Sequence, residues 1–331
     1  MSAVQPPPAG GGESTEKWAE RWIEEIRASL PEAPKHERPA ASARLASMLI
    51  VCARDEEADA FLMSARRDAV RAGDARELAR IEIALAGAAL ARDDDGTAQT
   101  RLASAREQLP SPPPSIAARM WLLETRLARL ADVAVPPPPP EPEANADDPL
   151  DPDERILLAA ELALERAQVA REDGILGAAH TELAKAHEIV DLAASQYLVA
   201  AFELEAACYA ADAGDPDEAR TRFRSAIERY GEAGLLRGEG RAMIRFAEFI
   251  ATHPGRVADE SAAVWLGRAQ QVLGSAATWR DRLAIRTGFR SFGRRVFDRV
   301  MTEGTVTRIE AFERARGSLV NALANVAHAT D

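Results

Sequence analysis

The stretch from Ser195 to Ala233 constrains this chain more than any other. It reads as one antiparallel helix pair whose first helix runs to about Ala213. Gly214 ends that helix, because glycine takes the left-handed conformation without a Cβ clash. Asp215 is placed to cap the second helix, and Pro216 sits at its first position, where the missing N–H costs nothing. Ala219, Phe223 and Ala226 then mark one face of the second helix. The small alanines allow close approach and Phe223 fills the gap. A single pair of this kind cannot bury its own apolar face; stacked copies supply the core.

Copies are present. Alanine, a large apolar residue four positions on and alanine three further recur at Ala58-Leu62-Ala65, Ala98-Leu102-Ala105, Ala179-Leu183-Ala186, Ala219-Phe223-Ala226 and Ala262-Leu266-Ala269. Ala58 and Ala98 lie 40 residues apart, as do Ala179 and Ala219, and Ala262 follows Ala219 by 43. From Ala98 to Ala179 is 81, near two periods. Partner helices carry the same triplet at Ala79-Ile83-Ala86, Ala160-Leu164-Ala167 and Ala200-Leu204-Ala207, each 19 residues before its mate. A helix-to-helix step of 19 repeated at about 40 marks an array of helical pairs. Alanine, the best helix former, is about one residue in five, and few stretches alternate like strands. The fold class expected is all-α, an α-α superhelix of stacked antiparallel helix pairs in two segments.

The segments follow from punctuation. Residues 1–13 are rich in Pro and Gly and read as a disordered leader. An N-terminal helical segment covers 14–135, with a first helix over 15–30 and further helices over 40–53, 56–72, 75–92, 97–109 and 115–133. Gly73-Asp74 and Asp95-Gly96 mark turns between them. Residues 136–153 hold five consecutive prolines, three more prolines and six acids with no basic residue. That composition predicts an extended, self-repelling linker. A repeat array resumes over 154–275, pairing 154–172 with 175–193, 195–213 with 216–232 and 236–252 with 258–274. A terminal helical pair over 276–331, at about 277–302 and 306–328, closes the chain.

Totals exclude several function classes. The net charge is −12 and the pI about 5.1, which argues against a nucleic-acid binder. No run approaches the ~18 apolar residues of a membrane helix, so no membrane partner is expected. The leader lacks a basic start and an apolar core, so no signal peptide is read. Cys52 and Cys208 stand alone without zinc or disulfide spacing, which fits a reducing, cytoplasmic location. His180 and His187 share a helix face, but no second histidine follows His187-Glu188 as a zinc-protease helix would need, so no metal site is expected. No nucleophile elbow, phosphate loop or Cys–His pair is visible; catalytic residues and cofactors are expected to be absent, and the chain is read as no enzyme.

The turn Gly-Asp-Pro-Asp-Glu-Ala at 214–219, followed by Ala219, Phe223 and Ala226, resembles the second half of a tetratricopeptide repeat. The resemblance covers roughly 40–110 and 154–275. The period of 40 exceeds the family's usual 34 and looks like the extended repeats of bacterial signalling and transcription-regulator sensor domains. It implies that the first helix of each pair lines a concave groove. Carried over, the groove positions are Ala201, Leu204, Cys208 and Ala211 in one repeat, Glu161, Leu164, Gln168 and Arg171 in another, and Arg80, Ile83, Gly87 and Leu90 in a third. The family's Lys, Asn and Arg cluster for a C-terminal carboxylate is absent from them. These side chains either bind a partner, an amphipathic helix for example, or are simply core.

One further feature stands out. The helix over 277–302 carries Arg282, Arg286, Arg290 and Arg294 four apart as one stripe, beside an apolar stripe containing Ile285 and Phe289. Such a stripe suits an anionic partner or a solvated face that pairs with Glu303, Glu310 and Glu313. The function expected is a non-enzymatic scaffold or adaptor for a protein or peptide. The alternative is a ligand-sensing regulatory module. The sequence leaves the partner and the oligomeric state open.

Overall fold

A computed structural model describes residues 17–34, 38–139, 152–193, 195–253 and 262–302, and parts of 313–320. Among the described residues there is no strand. The described residues form thirteen α-helices in order: α1 (Trp18–Ser29), α2 (Arg38–Val51), α3 (Asp55–Ala72), α4 (Ala75–Ala91), α5 (Asp95–Gln108), α6 (Pro114–Leu130), α7 (Pro152–Glu172), α8 (Leu176–Ala193), α9 (Gln196–Asp212), α10 (Pro216–Ala233), α11 (Leu236–Thr252), α12 (Ala262–Leu273) and α13 (Trp279–Thr302). The helix expected over 306–328 lies largely outside the described residues, as do the leader and most of the acidic stretch.

The helix ends follow the turn chemistry. Gly214 takes φ +83° after α9, and the Asp215 carboxylate accepts the Glu218 amide at 3.1 Å. Asp74 accepts the Glu77 amide at 2.9 Å in the same way. The α4–α5 turn falls slightly earlier than Asp95-Gly96. Asp93 takes the left-handed conformation at φ +62° and the Asp94 carboxylate caps α5 through the Thr97 amide, so Asp95 and Gly96 belong to its first turn. Aspartate suits both jobs, since its short side chain tolerates left-handed backbone and accepts a cap bond.

Helices pair as α2/α3, α4/α5, α7/α8, α9/α10 and α11/α12, and the pairs pack in series as an α-α superhelix. In the second helices the whole recurrent triplet is buried, from Ala58, Leu62 and Ala65 to Ala262, Leu266 and Ala269. In two of the first helices only the alanines are fully sealed: Ala160, Ala167, Ala200 and Ala207 are all 0% exposed, while Leu164 and Leu204 are half-buried. The difference is one of sides. Alanines face the partner helix, and the large residue faces the inner wall.

Among the described residues, the helix α6 has no paired second helix. Residues 133–139 run extended beside it, where Val135 packs with Trp121, Leu122, Leu158 and Leu162. The Trp121 indole donates to the Pro136 carbonyl at 2.9 Å, and Arg166 donates to the Pro139 carbonyl at 3.0 Å. Proline has no N–H to satisfy, so an extended run can lie against an apolar surface and present only carbonyls for capture. The inner helices therefore continue from α6 directly to α7.

The superhelix closes after one turn. The inner helices α2, α4, α6, α7, α9 and α11 each pack on the next, and α11 returns to α2. Arg237 of α11 is buried and donates to the Asp55 carboxylate and to the Ile50 carbonyl. The outer face of this seam is filled by α1, which packs on α2 and α10 and sends Arg27 to Glu57 and accepts Arg54 at Glu20. One apolar core consequently runs from Trp18 and Ile23 through Phe223 and Phe246 to Leu273. Phe223, Phe246, Phe249 and Trp265 stack within it at centroid distances of 5.0–6.2 Å, where ring geometry adds to area burial.

Candidate functional site

The inner helices surround a cavity of about 900 Å³ that is open to solvent. Every inner helix contributes to its wall, because the residues that cannot face a neighbouring helix face inward. Leu164, Gln168 and Arg171 of α7 line it together with Leu204 and Cys208 of α9. Glu161, Ala201 and the α4 positions Arg80, Ile83, Gly87 and Leu90 line it too, whereas Ala211 does not. The groove positions of three separate repeats thus meet around one cavity.

The wall is more charged than those positions foretell. Arg126 and Arg129 of α6 both reach Glu165 of α7, at 3.0 and 2.6 Å, and Arg129 also clasps Glu172 at 2.6 Å. Arg171 donates to Glu205 of α9 at 2.6 Å and to Asp212 at 2.9 Å. Arg241 of α11 meets Asp281 of α13 at 3.1 Å. The first two sets join successive inner helices, α6 to α7 and α7 to α9, and the third ties α11 to α13.

Their electrostatics differ. Burial works against the Arg126 charge, and the carboxylates of Glu165 and Glu161 overcome it, so the guanidinium is held more firmly charged than usual. The Arg126 side chain is 43% exposed and lines the cavity. Burial pushes the Glu205 carboxyl up to about 7, against the pull of Arg171. Arg171 keeps its proton throughout, because the Glu205 and Asp212 bonds outweigh its own burial. Glu205 is therefore the member of the pair that titrates. Burial likewise raises the Tyr197 phenol of α9, which sits in the fields of Arg126 and Glu161.

Cys208 is no nucleophile here: burial, then the nearby Glu205, pushes its thiol up to about 12. Cys52 is buried outside the cavity with a thiol raised to about 12 for the same main reason. His180 and His187 lie against α9, with His187 stacked on Phe202 at 5.3 Å and His180 on Tyr209 at 5.9 Å. Among the described residues no cluster of His, Cys, Asp and Glu is placed to hold a metal ion. No described helix is long and apolar enough to cross a membrane.

The arginine stripe stands apart from this cavity. Arg282, Arg286, Arg290 and Arg294 are all exposed on α13 and rim a second, apolar hollow of about 980 Å³ floored by Ile285 and Phe289. The start of the same helix serves the ring instead. Arg280 binds Asp95 at 3.0 Å and Asp93 at 3.2 Å, which ties α13 to the α4–α5 turn. Glu313 is exposed, and no ion pair joins it to the stripe among the described residues. Glu303 and Glu310 lie outside those residues.

Arg126, Arg129, Glu165, Tyr197 and Arg241 escape a reading by repeat position. A usable signal exists for three of them. Arg126 precedes Glu165 by 39 residues and Arg129 precedes Glu172 by 43, about one period, with opposite charge. Charges one period apart on first helices face each other across adjacent repeats.

Fold and cavity together define a closed α-α superhelix of helix pairs with an internal, charge-lined chamber. Compared with known proteins, the chain matches no family model and no curated protein.

Proposed function

We propose that the protein is a non-enzymatic binding module of the tetratricopeptide-like kind, an adaptor that holds a peptide or protein segment in its central cavity. One observation carries this reading: Leu164, Gln168, Arg171, Leu204 and Cys208, drawn from two repeats, all line that cavity. The half-buried Leu164 and Leu204 offer apolar contact between the ion pairs. Affinity capture from a native lysate, with wild-type protein beside Leu164→Glu and Leu204→Glu, tests it. A partner enriched by the wild type and lost from both folded variants is the expected result. A partner retained by both removes the cavity from the account.

A second reading, a ligand-sensing regulatory module, is favoured by the closure of the ring. A chamber of about 900 Å³ is of the size that takes small molecules. The contacts of Arg237 and Arg280 give binding a structural change to couple to. Thermal-shift screening against a metabolite panel separates the two, and uniform silence removes the sensor.

A further inference from the structure

Two charged side chains of the cavity wall, Arg119 and Glu161, make no direct ion pair among the described residues. Arg119 of α6 is half-buried and faces the cavity without an ion pair or side-chain hydrogen bond among the described residues. Glu161 of α7 is half-buried and faces the same space; it lies in the field of Arg126 but makes no ion pair among the described residues. On these two helices the neighbouring cavity charges Arg126, Arg129, Glu165, Arg171 and Glu172 are paired.

The ion pairs fix how the two open charges lie. Moving along α6 from Arg126 to Arg129 moves the contact along α7 from Glu165 to Glu172, so the two helices run in the same direction. Arg119 lies two turns before Arg126, and Glu161 lies one turn before Glu165. Both open charges are therefore on the same side of the Arg126–Glu165 pair, offset along the axis by about one turn, ~5 Å. Near Glu161, the Tyr197 hydroxyl makes no hydrogen bond among the described residues.

We propose that the cavity receives a small zwitterion, an amino acid or a short peptide with free ends, whose carboxylate is held by Arg119 and whose ammonium group is held by Glu161. This rests on the reading of the cavity as the binding site and names the ligand's chemistry. A simple anion would satisfy Arg119 and meet Glu161 as a repulsion; a simple cation would reverse the problem. A molecule with both charges satisfies both, and an opposite charge is worth more inside a protein-lined chamber than in water. The guanidinium fork suits a carboxylate. Tyr197 can donate to or accept from a peptide group, and Leu164 and Leu204 give the ligand's side chains an apolar wall.

The test uses the full chain and two kinds of probe. The twenty amino acids singly, and a pooled library of tripeptides with free ends, are screened by thermal shift and then by calorimetry. The same tripeptide pool is prepared N-acetylated and, separately, C-amidated. The expected result is binding in at least one arm; for tripeptides, each blocked end costs tenfold or more in affinity, and for amino acids the N-acetyl and amide derivatives of the hit do so. Glu161→Gln then removes the penalty for acetylation, and Arg119→Gln removes the penalty for amidation. Blocked ligands that bind the wild type as tightly as free ones overturn the proposal, as does silence in both arms. The amino-acid and tripeptide arms separate the two sources. If both arms are silent while a captured partner still depends on Leu204, the zwitterion falls and the cavity reading stands. If that dependence is also missing, both fall.

Discussion

Arg237 of α11 and Asp55 at the start of α3 form the contact that turns an open superhelix into a closed one. Residues 182 apart in sequence meet here, with one guanidinium N–H 2.7 Å from the carboxylate and another bond running to the Ile50 carbonyl at 2.8 Å. The Arg237 side chain is 6% exposed and that of Asp55 22%. Arg237→Ala leaves a carboxylate and a carbonyl without their donor. A loss of about 3 kcal/mol is expected, the low end for a broken buried pair because Asp55 keeps some water. Arg237→Lys restores little, since an ammonium cannot make the forked contact. Urea unfolding measures the loss, and hydrogen exchange should show it concentrated in α2 and α11.

The Glu205 carboxyl, raised to about 7 by burial, makes stability depend on pH. Its folded value lies above that of the unfolded chain, 4.5, so between these values the native state binds more protons. The contribution is therefore full below pH 4.5 and declines as pH rises toward and through 7. The expected size over that window is about 3 kcal/mol. Glu205→Gln should flatten this part of the profile, read as melting temperature from pH 4.5 to 8 beside wild type. A wild-type profile whose slope survives the substitution assigns the titration elsewhere.

Two glycines on inner helices should respond oppositely to alanine. A Cβ on Gly238 of α11 would drive into the Tyr230 ring, which is only 4% exposed and has no room to move. Gly238→Ala should cost about 1–3 kcal/mol by overpacking. A Cβ on Gly87 of α4 would meet Leu123 at an ordinary 3.8 Å. Gly87→Ala should gain about 0.5–1 kcal/mol through restricted unfolded-chain freedom. Thermal denaturation of the two single variants checks the opposite signs.

With its thiol pushed up to about 12, Cys208 should be almost inert to iodoacetamide at pH 7.5 in the native protein. Labelling should become rapid only in denaturant. Fast native labelling would mean that the chamber opens often on the time scale of the reaction, which peptide mapping by mass spectrometry would locate.

Much of this architecture is legible locally. Gly214, Asp215 and Pro216 specify a helix end, a cap and a helix start within three residues, and each acts on the backbone within a few residues of itself. The alanines at 40-residue spacing specify which face is sealed, because a small residue in a tight helix contact has few substitutes. The closure is illegible for the opposite reason. Nothing near Arg237 announces Asp55, and whether a superhelix meets itself depends on small rotations summed over all its repeats. The chamber is legible by half. Leu164 and Leu204 follow from repeat position, whereas Arg119 and Tyr197 matter only because the ring brings α6 and α9 around one space. The proline run reads as a spacer by composition; Trp121 and Arg166, which seat its first residues, lie on helices to either side.

That seat has a mechanical meaning. Counted around the inner helices, the α6–α7 joint stands diametrically opposite the α11–α2 joint. At the first, the outer layer is a strip of extended chain with no ladder of bonds of its own; at the second, it is α1 and an arginine. The molecule is laid out like a bracelet, with a thin hinge across the diameter from its clasp. The two joints are therefore unequal: Trp121 and Arg166 hold the extended strip at the first through its carbonyls alone, whereas a buried ion pair fastens the second.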